Sequence, residues 1–510
     1  MTVTIINVFL TACVMSIVLT VLIRAVAMRI GFTDRPDGHR KLHTQPTALG
    51  GGLAVFLATT VVLGLLVVFP TAFREDLYQR WWELARLLLA GAAIVGVGLV
   101  DDVVGLRGRQ KLLGQCAAIG ILLAGGLVVR EVGIFGAHFH LGWLAYPLTA
   151  FWLLGAINSL NLLDGIDGLA STLGLIQIAT IALMAAMIGR YETALLGVAF
   201  AGALVGFIRF NFPPATIFLG DAGSMLIGLI VGTLAVEASL KGAGTVLLAA
   251  PLAIWAIPIF DSVAAILRRK LTGRSIYATD RGHLHHRLLD LLQSNRRVLA
   301  LVACACAVTS AAALLSVFLK SDFIALIACA SVVVIFIATG VFGRTELLLL
   351  GSRLQRLRRA FGPSGTSGER WPHQSAVRLQ GTRPWHLLWD ALIASAAELR
   401  LQQIRLDINM TAERESYHAR WEQPDQLSRE FGWRLEVPLL LGQQAVGHVA
   451  VFGAHGNQPG VEELQQLFAL VGPVESLFLE IAGSSLPVAP QGGRAASQSE
   501  LPLGGGIKTS

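Results

Sequence analysis

The residues best suited to chemistry lie in Asn158-Ser159-Leu160-Asn161-Leu162-Leu163-Asp164-Gly165-Ile166-Asp167-Gly168-Leu169-Ala170, two carboxamides and two carboxylates at the end of an apolar run. Polar side chains beside hydrocarbon are costly to keep, so a cluster of them marks function. Three further clusters stand where other long apolar runs stop: Asp101-Asp102, Gly220-Asp221-Ala222-Gly223-Ser224 and His283-Leu284-His285-His286. Four such clusters, each at a run's end, point to one site assembled from several loops.

Asp101-Asp102 is followed by Arg107, Arg109 and Lys111. Adjacent carboxylates beside cations suit a phosphate-rich ligand bound together with a divalent ion. Asn161, Asp164 and Asp221 offer hard oxygen ligands, and substrate phosphates that complete the shell point to Mg²⁺, with Mn²⁺ as a substitute. Gly220 and Gly223 let backbone approach a ligand, Ser224 suits a helix cap, and the helix N-terminus there favours an anion. The stretch Arg281-Gly282-His283-Leu284-His285-His286-Arg287 presents donors and cations to phosphate or sugar hydroxyls. Each piece alone has a plain reading. Asp-Asp is commonly a solvated helix end, Gly-Asp-x-Gly-Ser a turn, and His-x-His-His lacks the further Cys or His of a zinc site. Taken in order and on one side of a membrane, the set is specific.

The elements that must position them are membrane helices. Hydrophobic residues make up 54% of the 510-residue chain and charged residues 14%, against about 25% charged in soluble domains. Eleven apolar runs approach membrane-spanning length, near 5–28, 48–69, 87–104, 112–129, 141–158, 169–188, 193–208, 222–239, 244–267, 298–318 and 323–342. The fold class is therefore an α-helical polytopic membrane protein of about eleven transmembrane helices. With the N-terminus outside, Lys and Arg concentrate in the loops that hold the four clusters, which places these on the cytoplasmic face. The first span is not a cleavable signal, because no positive residue precedes it. The five cysteines lie in or beside apolar runs without metal spacing. The net charge of +7 reflects the cytoplasmic loops and a basic 353–359 segment, and gives no argument for nucleic acid.

Composition divides the chain. Residues 1–343 form the transmembrane domain, 344–375 a basic linker, 376–483 a small soluble cytoplasmic α/β domain and 484–510 a disordered tail. Within 376–483, helical spacing runs from Trp385 to Leu401 and from Val461 to Ile481. Strand patterns cover Gln403 to Asn409, Trp433 to Leu441 and Ala445 to Phe452.

Over residues 1–345 the chain resembles the polyprenyl-phosphate N-acetylhexosamine-1-phosphate transferase superfamily (glycosyltransferase family 4), in its bacterial undecaprenyl-phosphate α-N-acetylglucosaminyl 1-phosphate transferase branch. The matching pieces are Asp34-x-Pro36 with Arg40-Lys41-x-His43, Asp101-Asp102 with Lys111 and Gln115, the Asn158–Ala170 run, Phe218-x-Gly220-Asp221-x-Gly223-Ser224, and His283-x-His285-His286. One departure is Pro46-Thr47-Ala48-Leu49 before Gly50, where the family carries Pro-x-Pro-Arg; this leaves the choice of sugar open. The resemblance implies transfer of a sugar 1-phosphate from a UDP-N-acetylhexosamine to undecaprenyl phosphate, with Mg²⁺ and release of UMP. Such a step initiates a surface or exopolysaccharide at the bacterial inner membrane. It implies that Asp221 and Asn161 bind the metal, that Lys111 holds the lipid phosphate and that Asp101 is its base or positioning group. Asp102, Asn158, Asp164 and Asp167 would line the nucleotide and metal pocket, and Arg281, His283, His285 and His286 would contact the diphosphate and amino sugar. The 376–483 domain lies outside the resemblance and reads as accessory, docking a downstream glycosyltransferase or regulating the enzyme; a homodimer is a further expected partnership of the protein. The alternatives are the phospho-N-acetylmuramoyl-pentapeptide transferase of peptidoglycan synthesis and, in another class, a transporter or receptor. A transporter would carry its charges near mid-span, whereas these stand at span ends.

Overall fold

The computed structural model describes residues 2–34, 46–69, 73–134, 137–239, 249–271, 282–341, 343, 346–347, 350–351, 373–380, 383–398, 401–410, 415–423, 431–442, 444–454 and 461–483. The chain forms two compact units, Met1–Ser367 and Gly368–Ser510. In the first unit the elements are α1 (Thr2–Ile30), β1 (Thr33–Asp34), β2 (Thr47–Ala48), α2 (Gly51–Val68), α3 (Arg74–Gln79), α4 (Trp81–Val104), α5 (Gly108–Ala124), β3 (Glu131–Ile134) and β4 (Ala137–His140). After these come α6 (Ala145–Leu163), α7 (Leu169–Met187), α8 (Tyr191–Asn211), α9 (Gly220–Ser239), α10 (Ala249–Ile254), α11 (Ala256–Leu271), α12 (Leu284–Leu292), α13 (Asn295–Leu319) and α14 (Asp322–Ala338).

Eight helices among the described residues are long and apolar enough to cross a membrane: α1, α2, α4, α6, α7, α8, α9 and α13. The other three expected runs are helical but shorter. α5 and α14 have 17 residues each, and α5 begins with Arg109 and Lys111 in its first turn. The 244–267 run is divided between α10 and α11, with 240–248 outside the described residues. Pro258 has no amide to bond the Ile254 carbonyl. That carbonyl instead accepts from Gln177 Nε2 at 3.0 Å, so α7 satisfies the group the proline frees.

Position in the bundle follows from exposure. Only 22% of the apolar window of α1 is buried, and Val3, Leu10, Val14 and Val21 lie on its surface. For α9 the figure is 89%, which makes it the central helix. It packs on α2, α4, α6 and α7. Its first turn is held at backbone contact: a Cβ on Gly52 would fall 2.2 Å from Gly223 N, and one on Gly98 would fall 2.2 Å from Ala222 Cα. β2 extends this grip, with Phe218 N donating to Ala48 O and Gly51 N to Phe218 O. At its far end Glu237 pairs with Arg86 of α4 at 3.4 Å, and Arg86 also donates to Gly125 O. Both ends of α9 are thus fixed against α4.

The second unit contains β5 (His373–Gln380), α15 (Trp385–Glu398), β6 (Gln403–Met410), β7 (Glu415–Glu422), β8 (Phe431–Leu441), β9 (Gln444–Ala454) and α16 (Val461–Gly483). The strands form one antiparallel sheet in the order β5-β7-β6-β9-β8. Ile404, Leu406 and Ile408 face Trp385, Leu388, Trp389 and Phe478 of the two helices. β5 and β7 were absent from the sequence reading. β5, HQSAVRLQ, carries only three apolar residues, whereas β7, ESYHARWE, alternates Tyr417, Ala419 and Trp421 with polar residues and had a strand signal. The 484–510 tail and most of the 344–375 segment lie outside the described residues.

Candidate active site

Four helix ends meet around Lys111. Asp101 sits in the last turn of α4, and its Oδ1 accepts from Leu106 N at 2.7 Å, which orders the short connection to α5. Lys111 therefore arrives one turn into α5, with Nζ 2.8 Å from Asp101 Oδ2 and 3.0 Å from Asp221 Oδ2. Asp221 opens α9. Its remaining oxygen, Oδ1, accepts from Asn161 Nδ2 at 2.5 Å, and Asn161 Nδ2 also reaches Ser224 Oγ at 2.9 Å. Asp102 caps α9: its Oδ1 accepts from Asp221 N at 2.9 Å, so a carboxylate meets the helix's positive end. One lysine thus joins α4, α5 and α9, and Asn161 adds α6.

The loop after α6 brings Asp164 beside these groups. The residue is only partly enclosed. Burial of its carboxyl, and then the charges of Asp221, Asp102 and Asp167, push it well above the ordinary carboxylate range. Asp167 is turned to the α8–α9 connection, where its Oδ2 accepts from Ala215 N at 2.9 Å. Asn158 lies one turn deeper than Asn161 and exchanges hydrogen bonds with Gln115 of α5, at 2.9 and 3.2 Å. It ties α6 to α5, and its amide also donates to Leu154 O.

The histidines reach the same loop. His283 precedes α12, and its ring stacks on that of His285, with centroids 5.9 Å apart. A Cβ on Gly165 would fall 2.2 Å from His285 Nε2, so only glycine lets the imidazole lie on the Asp164–Asp167 loop. Neither ring nitrogen of the buried His285 has a hydrogen-bond partner among the described residues. Burial, and then His286 and His283, hold its imidazole well below the ordinary histidine range, in the neutral form. Beyond α14, Glu346 forms a buried ion pair with Arg268 of α11 and lies 3.9 Å from Arg287 of α12.

The donors suit a hard divalent cation. Asp221 and Asp164 present carboxyl oxygens, Asn161 adds a carboxamide whose nitrogen faces Asp221, and the carboxylates of Asp101 and Asp221 flank the ammonium of Lys111. Among the described residues no group of three or more His, Cys, Asp or Glu is arranged to hold a metal by itself.

A family model described as glycosyl transferase family 4 matches residues 84–239, the stretch that carries all of these carboxylates. The chain is 32% identical over 290 residues to a probable undecaprenyl-phosphate N-acetylglucosaminyl 1-phosphate transferase of Bacillus subtilis, covering 56% of this chain and 78% of that protein. The chain belongs to glycosyl transferase family 4. A decaprenyl-phosphate N-acetylglucosaminephosphotransferase of Mycobacterium tuberculosis is 34% identical over 353 residues, 65% of this chain and 87% of the relative. A phospho-N-acetylmuramoyl-pentapeptide-transferase of Shouchella clausii is 30% identical over 269 residues, 50% and 79% of the two chains.

In this family-4 chain the structure brings Asp101, Asp102, Lys111, Asn161, Asp164 and Asp221 together, with Asp167 and His285 on the adjoining loop. Asn158 stands behind Asn161 rather than against Asp221. Arg281, Pro36, Arg40, Lys41 and His43 lie outside the described residues. The sequence reading missed Asp261, whose Oδ2 lies 2.9 Å from His283 Nδ1. A signal for it existed, since a carboxylate inside an apolar run is a functional hypothesis by default.

Proposed function

We propose that this chain transfers N-acetylglucosamine 1-phosphate from its UDP-sugar to undecaprenyl phosphate at the cytoplasmic face of a bacterial inner membrane. UMP leaves, and the lipid-linked sugar initiates a cell-surface polysaccharide. The observation that carries this is the placement of Lys111 between Asp101 and Asp221 at converging helix ends. A site at such ends can meet a lipid headgroup and a water-soluble nucleotide sugar together. An oxygen of the lipid phosphate attacks the sugar-bearing phosphorus, the bond from that phosphorus to the bridging oxygen breaks, and UMP carries the bridging oxygen away. One phosphoanhydride is made and one is lost. Catalysis then rests on alignment and charge stabilisation.

In this reading Lys111 holds the lipid phosphate, and Asp101 orients Lys111 through the ion pair. Asp221 and Asn161 would hold Mg²⁺, which when bound offsets the charge of the donor's diphosphate. Asp102 keeps the first turn of α9, and so Asp221, in place. Asp164, Asp167, Arg281 and the histidines would face the nucleotide and amino sugar. We read the second unit as accessory.

The test is UMP release by the full-length protein in detergent, with undecaprenyl phosphate, Mg²⁺ and a panel of UDP-sugars. Lipid-dependent release from UDP-N-acetylglucosamine, abolished by EDTA and in Asp221→Ala, is the expected result. Release only from the muramoyl-pentapeptide donor would move the chain to the peptidoglycan reaction that the Shouchella relative's name describes. No turnover with any donor would overturn the transferase reading in favour of a transporter or receptor.

A further inference from the structure

Asp261 belongs to none of the four polar clusters, yet it is fully buried and both of its oxygens are committed to the histidine segment. Oδ2 lies 2.9 Å from His283 Nδ1, and Oδ1 accepts from Leu284 N at 2.8 Å. Leu284 opens α12, so its amide is one that the helix itself cannot satisfy. A carboxylate there also meets the helix's positive end. A carboxylate oxygen accepts, so this contact calls for the proton on Nδ1 of His283 and turns Nε2 to a ligand. The ring plane is fixed by the same contact. It is passed on, because His285 stacks on His283 within 10° of parallel and rests in turn on Gly165.

We propose that Asp261 is a positioning residue of the transferase: it sets the tautomer and ring orientation of His283, and through the stacked His285 it fixes how the histidine segment seats on the Asp164–Asp167 loop. The inference rests on the transferase reading for the ligand that Nε2 meets, a diphosphate or sugar hydroxyl. Asp261 itself contacts neither.

The experiment compares D261N, H283A and the double variant in the full-length protein. The near-isosteric D261N keeps the volume but turns an amide toward Nδ1, so the tautomer is no longer dictated. Loss of a partner that orients a working histidine lowers activity about 10–100-fold by analogy with metal-ligating histidines. We expect kcat to fall by that factor in D261N, the KM for undecaprenyl phosphate to stay within about two-fold, and the double variant to be no slower than H283A. Wild-type kcat in D261N, or losses that multiply in the double variant, would overturn the proposal. Melting temperature in detergent gives a second readout should D261N fold poorly. H283A strands a buried carboxylate and melts lower, and adding D261N recovers part of that loss. Equal depression by D261N in both backgrounds would overturn the pairing. If the wild-type protein releases no UMP from any donor, the transferase reading fails, while the melting comparison still tests the Asp261–His283 pair.

Discussion

Lys111 is shared between two carboxylates that come from different helices, and it is only partly exposed. Lys111→Met leaves Asp101 and Asp221 facing each other without a cation. Activity should fall at least about 100-fold, the scale seen when a positioned charge-stabilising group is removed. Lys111→Arg should not restore it, because a planar fork cannot replace one compact charge between two acceptors; initial rates of UMP release check both. Asp164 gives a pH-dependent outcome. Its carboxyl titrates well above the ordinary range in the folded protein, while the unfolded chain keeps a value of about 3.9. The folded state then holds its proton more tightly. The stability this contributes is complete below about pH 4 and is lost as pH rises through the folded value. Asp164→Asn should therefore melt above wild type at pH 7.5 in EDTA, and the gap should close as pH falls toward 4. Residues of this kind were legible in the sequence because each is polar at the end of an apolar run. Asp261 was not read from the sequence: it stands alone between Phe260 and Ser262, and its partner is 22 residues away.

At the scale of elements, the site depends on how closely α9 is allowed to approach its neighbours. Gly98→Ala would place a methyl against the backbone of Ala222, one residue from Asp221, whereas Gly96 on the same helix has nothing within 4 Å. Overpacking of this kind costs about 1–3 kcal/mol, and here it displaces the turn that carries Asp221. Gly98→Ala should lower both melting temperature and kcat, while Gly96→Ala should leave both near wild type. Apolar length located the helices but not these contacts, since a glycine that touches backbone and one that faces open space look alike in a sequence. The same limit explains the other differences. Pro258 divides a run that composition reads as continuous, and Gln177, 77 residues from Ile254, supplies the missing donor. In the second unit, strands with one apolar face, such as Gln403–Met410, were legible. β7 pairs with β6 along its full length, and the alternation of its buried Tyr417, Ala419 and Trp421 with His418, Arg420 and Glu422 was an equally legible strand signal.

For the whole molecule, every residue assigned to the site lies in the unit Met1–Ser367. A chain ending at Ser367 should keep lipid-dependent UMP release within a few-fold of the full-length protein, measured at equal amounts of monodisperse enzyme. Loss of turnover in that shortened chain would give Gly368–Ser510 a direct part in catalysis. The shortened chain must, however, retain Glu346. The carboxylate that neutralises buried Arg268 follows it by 78 residues, beyond α14. The histidine segment between them is tied to the same carboxylate through Arg287. A chain ending at Ala338 therefore keeps every described helix of membrane-spanning length yet lacks this carboxylate, and it should melt below the chain that ends at Ser367.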